Sequence, residues 1–400
     1  MKSVAASIGP TQVRMELDTI LAQSLERHAS DVHLKVGRPP MYRIHGSLVP
    51  MNDAPVLDAP AMEGFAAGLL DDMHLAQLRE RLQSDLAYSA PTLGRYRVNV
   101  FRQRGELSIA LRVIPPLVRT IRDLNLPPVV ERIALEHRGL VLVTGTTGSG
   151  KSTTLAAMIH HVNQQRDRHV ITIEDPIEYT HSDDKCIINQ REIGYDARTF
   201  AEALRGALRQ DPDIILVGEM RDLETIETAV LAAETGHLVM STLHTLDARE
   251  TITRAISAFP EHQRDQMRLI LASVVRGIIS QRLVKRADGQ GMVPAVEVLL
   301  STALTRECIA LKDRTHELTD AIARGHATYG MQTFDQSLMA LFRQSLITYE
   351  EAIAQATNPD DFALKVRGID STSDGRWETF DKAAQPAENG QAAGFKIDRF

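Results

Sequence analysis

The stretch that decides the fold is residues 139–154, which read GLVLVTGTTGSGKSTT. It contains a complete G-x-x-x-x-G-K-[ST] phosphate-binding loop, placed between an apolar strand predicted over Leu140–Val143 and a helix predicted over Lys151–His161. Glycines let such a loop turn sharply, so that its N–H groups and the positive end of the helix face one anion. The chain is therefore expected to bind ATP or a similar nucleotide through nine loop residues: Gly145, Thr146, Thr147, Gly148, Ser149, Gly150, Lys151, Ser152 and Thr153.

Three side chains have the chemistry that a magnesium–nucleotide complex needs. Lys151 is expected to reach the β- and γ-phosphates, and the Ser152 hydroxyl to ligate Mg²⁺. A predicted buried strand, Ile214–Val217, is followed by Gly218-Glu219, where phosphate-loop proteins usually carry a magnesium-binding Asp. Glu219 is therefore a candidate for coordinating Mg²⁺ or for polarising the attacking water, the alternative being an exposed acid that ends a strand.

Three carboxylates follow the predicted strand Val170–Ile173, namely Glu174, Asp175 and Glu178. Crowded acids repel one another unless a cation offsets them, as Mg²⁺ would at a nucleotide site. Glu174 is the first choice for the base that activates water, with Asp175 and Glu178 as supports. Outside the context of a phosphate loop, this segment would be interpreted as a solvated turn.

Two histidines, His237 and His244, flank the predicted strand Leu238–Thr242. A histidine beside a core strand is usually a hydrogen-bonded structural residue, whereas the functional alternative here is a sensor of the γ-phosphate. No further ligands have the spacing of a metal site.

Three arginines lie on one face of a predicted antiparallel hairpin near the N-terminus. Arg95 and Arg97 share a face of its first strand, and Arg112 lies on the polar face of the second. This face is interpreted either as solvated surface or as an anion clamp that supplies an arginine finger to its own or a neighbouring subunit.

Strand and helix patterns alternate after the phosphate loop, which predicts an α/β fold with a mostly parallel sheet covered on both faces. Helical patterns dominate after Gln263. The expected organisation is an N-terminal extension (1–12), a small α+β domain (13–113), a linker (114–125), an ATPase domain with a helical C-terminal part (126–370) and a disordered tail (371–400).

Composition limits the class of protein. The net charge of −7 disfavours a nucleic-acid partner, and the two cysteines exclude a disulfide framework and a four-cysteine zinc site. The sequence lacks an apolar stretch of about 20 residues and the pattern of a signal peptide. These features favour a cytoplasmic protein that contacts membranes only through partners.

The chain resembles the type IV pilus retraction ATPases, the PilT/PilU twitching-motility group of the secretion ATPase superfamily, from about Leu17 to Gly368. The strings that carry this resemblance are SDVHLKVGRPPMYRIHGSL (30–48), GRYRVNVFRQRGELSIALRVIP (94–115), GTTGSGKSTTLAAMI (145–159), ITIEDPIEY (171–179), ALRQDPDIILVGEMRD (207–222), ETGHLVMSTLHT (234–245), LASVVRGIISQRL (271–283) and YGMQTFDQSL (329–338).

The resemblance implies a RecA-like ATPase core with a PAS-like N-terminal domain, assembled as a homohexamer. By the same resemblance, Glu174 belongs to the family's Asp box, Glu219 to an atypical Walker B motif, and His237 and His244 to the His box. Arg97 and Arg112 match arginines that reach the nucleotide. The implied partners are the inner-membrane platform protein at the pilus base and other pilus motor ATPases, so the protein is expected at the cytoplasmic face of the inner membrane.

Three alternatives stay open from the sequence. A pilus-assembly or type II secretion ATPase has the same scaffold, but typically carries an inserted four-cysteine zinc element and an extra N-terminal domain. A nucleic-acid translocase would need a basic, aromatic-interleaved segment. A non-catalytic ring subunit would not need Lys151, Glu174 and Glu219 together.

Overall fold

The computed structural model describes Trp377, Phe380 and residues 10–44, 46–51, 54–90, 92–114 and 118–369, with the backbone alone for 10–16. Within these residues the chain forms two compact units. Unit 1 holds the residues up to Val118 together with Pro176–Thr180. Unit 2 holds Arg119–Asp175 and the residues from His181 onward.

Unit 1 is an α+β unit whose six-stranded sheet is antiparallel throughout, in the order β3-β2-β1-β6-β5-β4. Alternate residues of its longest strand, Tyr96, Val98 and Val100, are fully buried against Met62 and Phe65 of a covering helix. Its elements in chain order are α1 (Pro10–Glu26), β1 (Asp31–Lys35), β2 (Met41–Ile44), β3 (Ser47–Pro50), α2 (Ala59–Leu69), α3 (Asp72–Arg81), β4 (Gln83–Ala90), β5 (Gly94–Gln103) and β6 (Glu106–Ile114). The hairpin predicted from alternating residues is β5 and β6.

Unit 2 has a seven-stranded sheet in the order β13-β12-β7-β11-β10-β8-β9. All neighbouring strands are parallel except β12 and β13, which form an antiparallel hairpin. The strands are β7 (Gly139–Thr144), β8 (His169–Glu174), β9 (Ile187–Glu192), β10 (Ile214–Val217), β11 (Leu238–Leu243), β12 (Val275–Lys285) and β13 (Met292–Leu300). The predicted α/β sheet is thereby confirmed.

Helices cover both faces of the unit 2 sheet. Along β7, Leu140 and Leu142 belong to one apolar core and Val141 and Val143 to another, so the strand is buried on both sides. The helices of unit 2 are α4 (Val129–Ala134), α5 (Lys151–Gln165), α6 (Phe200–Ala207), α7 (Leu223–Glu234), α8 (Ala248–Ser257), α9 (Arg264–Val274), α10 (Ala303–Ala310), α11 (Leu318–Arg324), α12 (His326–Tyr329), α13 (Phe334–Arg343), α14 (Tyr349–Gln355) and α15 (Pro359–Val366).

The expectation of a mainly helical segment after Gln263 is wrong for β12 and β13. These two strands pair in register from Gly277 and Leu300 to Lys285 and Met292. The strand β12 continues directly from α9, and its apolar residues fit either element until it pairs with β7. Tertiary pairing therefore decides the structure of this segment.

The predicted linker, residues 114–125, also differs from the structure. Ile114 ends β6, and the division between the units falls between Val118 and Arg119. Ile121 is only 2% exposed and belongs to a core of unit 2, so residues 119–125 are part of the ATPase unit. At the N-terminus, α1 begins at Pro10 instead of near residue 13, and residues 1–9 lie outside the described part of the chain.

The prediction of a disordered tail over 371–400 is wrong for its two described residues. Trp377 and Phe380 are 2% and 6% exposed. The Trp377 indole N–H donates to Asp361 Oδ2 at 3.1 Å, and the Phe380 ring lies 5.1 Å from the Arg343 guanidinium. These contacts and the edge-on packing of Trp377 on Phe362 hold both aromatic residues on the C-terminal helices. The rest of 371–400 lies outside the described residues.

Among the described helices, none combines the length and the apolar character that are needed to cross a bilayer.

Candidate nucleotide-binding and hydrolysis site

The predicted site residues follow four adjacent parallel strands. The phosphate loop follows β7, His244 follows β11, Glu219 comes two residues after β10, and Glu174 ends β8. Because these strands are neighbours in the order β7-β11-β10-β8, their carboxyl ends lie at one edge of the sheet. This edge is where α/β sheets bind ligands, so the fold itself brings the four predicted elements together.

The phosphate loop has a backbone that side chains would disrupt. Gly145 has φ +144°, and a Cβ there would lie 2.5 Å from both the Gln281 carbonyl oxygen and Ser149 Oγ. Gly150 has φ +91° and caps α5, a helix of 15 residues that begins at Lys151. The loop therefore directs the N-terminus of α5 toward the same edge of the sheet.

The Lys151 side chain is hydrogen-bonded within the phosphate loop. Its Nζ donates to the carbonyl oxygens of Gly145 and Thr146, at 2.9 Å each, and the residue is 8% exposed. An ammonium group in this position places a fixed positive charge where phosphate oxygens would bind. Thr146 and Thr147 are exposed, and Ser152 and Thr153 occupy the first turn of α5.

The acid after β10 is part of a charged cluster. Glu219 Oε2 lies 2.7 Å from Arg221 Nε and 3.8 Å from His244 Nε2, and its side chain is 15% exposed. Burial lowers the pKa of His244 below its usual value, and the positive charge of Lys151 lowers it further. His244 is therefore expected to be neutral at pH 7 and able to act as a hydrogen-bond partner for a phosphate or a water.

Glu174 is positioned by neighbours on two strands. Its Oε1 accepts from Thr172 Oγ1 at 2.6 Å and from Gln190 Nε2 at 3.2 Å. These bonds orient the carboxylate at the edge of the sheet, as a water-activating base requires. Sequence reasoning assigned no role to Thr172, Gln190 and Arg221. Gln190 reaches Glu174 from the neighbouring strand β9, whereas Thr172 and Arg221 each lie two residues from the acid that they contact.

The oxygen ligands present fit a magnesium ion bound together with a nucleotide. No group of three or more His, Cys, Asp or Glu side chains that could hold a metal occurs in the described part of the chain. Mg²⁺ typically takes one or two protein oxygens and completes its shell with phosphates and water. The Ser152 hydroxyl and the Glu219 carboxylate are the protein oxygens that would hold it.

His237 does not belong to this group. It precedes β11, whereas His244 follows it, so the two histidines lie at opposite ends of a six-residue strand about 20 Å long. The His237 ring is bonded through Nδ1 to the Ala232 carbonyl oxygen at 2.9 Å. Within one chain, His237 therefore lies away from the phosphate loop, so its role at the γ-phosphate stays a prediction, and the structural alternative fits its position.

The arginines of the hairpin lie together in unit 1. Arg97 and Arg112 are directly paired residues of β5 and β6, both are exposed, and Arg112 Nε donates to Asp31 Oδ1 at 3.0 Å. They line a cavity of about 190 Å³ together with Pro176–Tyr179. Glu178, expected to support Glu174, is thus part of unit 1.

A second cavity, of about 550 Å³, adjoins the phosphate loop in unit 2 and is large enough for a small organic ligand. Ser149 and Gln281 line it, and each has a buried side-chain oxygen with no hydrogen-bond partner among the described residues. The segment 123–126 and the hairpin β12–β13 supply other walls. Sequence patterns do not indicate this cavity, because most of its walls come from the segment predicted as a linker and from the β12–β13 hairpin.

Comparisons with known proteins show the family of the chain. Residues 95–351 match the family model described as "Type II/IV secretion system protein". The chain is 43% identical to the type IV pilus retractation ATPase PilT of Pseudomonas aeruginosa, over 87% of this chain and 100% of that protein. It is 41% identical to a twitching motility protein of Neisseria gonorrhoeae, over 81% of this chain and 86% of that protein.

A solved structure has the same fold. The crystal structure of the pilus retraction motor PilT with bound ADP matches with a TM-score of 0.79 and 44% identity, covering 86% of this chain and 97% of that one. The fold is therefore that of a RecA-like ATPase with an N-terminal domain. The chain belongs to the type II/IV secretion system protein family and, within it, to the pilus retraction ATPases.

Proposed function

We propose that this chain is the ATP-hydrolysing motor that retracts type IV pili and so drives twitching motility. One observation carries the proposal. The phosphate loop, Glu174, Glu219 and His244 follow four adjacent parallel strands of a chain that is 43% identical to a pilus retraction ATPase along that protein's whole length.

The chemistry is attack of water on the γ-phosphate, achieved mainly by positioning and by stabilising charge. The loop N–H groups and Lys151 hold the phosphates. Ser152 and Glu219 would hold Mg²⁺, which would polarise the phosphates. Glu174 accepts the proton of the attacking water, and His244 contacts the γ-phosphate as a neutral hydrogen-bond partner. Arg97 and Arg112 offset the charge that develops in the transition state, each in its own or a neighbouring subunit.

The motor acts as a homohexamer at the cytoplasmic face of the inner membrane. Its partners are the platform protein at the pilus base and other pilus motor ATPases, and it contacts the membrane only through them. Two buried cysteines, Cys186 and Cys308, leave no four-cysteine zinc element in this sequence, which separates it from typical assembly and type II secretion ATPases.

The test combines catalysis in vitro with pili in cells. Glu174→Gln and Glu219→Gln should each keep ATP binding and lose at least about 10²-fold in turnover, the scale of a lost acid–base group. Glu227→Gln, at an exposed site on α7, is the matched control and should behave as the wild type. Loss of binding alone would show that the assigned catalytic role is wrong.

In cells, a deletion strain should carry surface pili that are not retracted, and the wild-type gene but not Glu219→Gln should restore retraction. A deletion strain without surface pili would instead identify an assembly motor. Stimulation of ATP turnover by added DNA would favour a nucleic-acid translocase.

A further inference from the structure

A buried carboxylate outside the predicted site lies at the start of the helix that follows His244. Glu297 is on β13 and is 4% exposed. Its Oε1 accepts from the backbone N–H of Ala248, the first residue of α8, at 2.8 Å. A helix N-terminus has N–H groups without partners inside the helix, and Glu297 satisfies one of them.

Buried hydroxyl groups connect this helix end to the catalytic edge of the sheet. Thr251, on the first turn of α8, bonds Thr245 Oγ1 at 2.6 Å and the Asp247 carbonyl oxygen at 2.7 Å. Thr245 directly follows His244. Thr144 ends β7 and directly precedes the phosphate loop. Its hydroxyl donates to Ser280 Oγ at 3.0 Å.

Strand pairing places Glu297 in one row with Ser280 and Thr144 across β13, β12 and β7. Glu297 is paired with Ser280 across β12 and β13, and Ser280 is paired with Thr144 across β12 and β7. Thr144, Thr251 and Ser280 are completely buried. Interiors are close-packed, so a helix end that is fixed at Ala248 also fixes the three-residue connection from His244 to α8.

We propose that Glu297 is a positioning residue for ATP hydrolysis, which anchors the N-terminus of α8 and thereby holds the His244 loop in place beside Glu219. It does not touch the nucleotide. This inference rests on the proposed function, because it assigns to His244 a role in turnover.

The variants distinguish three possible contributions of Glu297 to turnover: the oxygen that accepts from Ala248, the charge of the carboxylate, and general stability. Glu297→Gln keeps an oxygen that can accept from Ala248, whereas Glu297→Leu leaves that N–H buried and unpaired. Glu297→Leu should lower kcat at least about 10-fold while KM for ATP changes by less than about threefold, and Glu297→Gln should stay within about threefold of the wild type.

Two further variants keep the result interpretable. Val298→Ala, on the opposite face of β13, is the matched control, and it should lower the melting temperature without lowering kcat. Thr251→Val removes the next hydroxyl in the series and should lower kcat in the same way as Glu297→Leu. If Glu297→Leu does not fold, Thr251→Val replaces it in the test.

The proposal is overturned if the kcat of a folded Glu297→Leu, or of Thr251→Val in its place, stays within twofold of the wild type, or if Val298→Ala reproduces the loss. His244→Asn distinguishes the levels of failure. If His244→Asn loses turnover and the folded Glu297 and Thr251 variants do not, the proposed function stands and the inference fails. A wild-type protein without ATPase activity would refute the proposed function instead.

Discussion

Replacing Glu297 by Gln should change how the stability of the protein depends on pH. The pKa of Glu297 is raised from 4.5 to about 7, chiefly by burial; Asp247 and Asp335 contribute to this rise, and the Ala248 N–H and Arg282 oppose it. The folded state therefore holds this proton more tightly than the unfolded chain does. Its stabilising effect is complete below pH 4.5 and is lost as the pH rises toward 7.

The size of the effect follows from the shift. A pKa difference of about 2.5 units at about 1.36 kcal/mol per unit gives a total of about 3 kcal/mol. Between about pH 5.5 and about pH 8 the wild type should lose about 2 kcal/mol of stability relative to Glu297→Gln, which has no proton to release. In domains of this size that difference corresponds to a shift of roughly 4–8 °C in melting temperature.

Thermal unfolding followed by circular dichroism, on both proteins across this pH range, measures the shift. All other titrations are shared by the two proteins, so they cancel in the difference. Glu227→Gln, which removes an exposed carboxylate on α7, controls for the loss of a charge and should show no such trend. The reasoning would be refuted if the difference in melting temperature between the wild type and Glu297→Gln were constant across this pH range. It would also be refuted if the wild type became relatively more stable as the pH rises.

Three other outcomes are expected. Lys151→Ala should abolish binding of a fluorescent ATP analogue, because it removes the charge at the phosphates; normal hydrolysis would exclude the assigned loop function. Arg97→Ala and Arg112→Ala should leave ATP binding intact and lower turnover at least about 10-fold in a steady-state assay, and full activity of both variants would contradict their role. Trp377, the only tryptophan, should give blue-shifted fluorescence in the native protein that moves toward the unfolded spectrum in Phe380→Ala. An emission maximum equal to that of the urea-unfolded wild type would show that the tail does not dock.

Sequence patterns predicted the elements whose boundaries depend on local signals. The strand Ile214–Val217 matches its prediction residue for residue, and α5 begins at the predicted Lys151. The strand is a run of buried apolar residues, and Gly150 ends the phosphate loop directly before the helix. The placement of the phosphate loop, Glu174, Glu219 and His244 at one edge of the sheet follows in the same way, because each ends or follows a strand of this kind.

Features that depend on contacts between distant residues could not be predicted. Ile121 looked like part of a linker because the neighbouring prolines indicated a break, yet its side chain is buried in a core of unit 2. Glu297 belongs to no motif, and only the pairing of β12 with β13 reveals it.

The discontinuous composition of unit 1 limits how this protein can be divided. The chain leaves unit 2 after Asp175, contributes Pro176–Thr180 to unit 1, and returns at His181. A fragment that begins at Arg119 would therefore keep five residues of the unit it lacks, among them Ile177, which is 4% exposed in the whole chain. A chimera with a relative's N-terminal domain would have to exchange this short insert together with the first 118 residues, so the two segments are expected to be inherited as a single block.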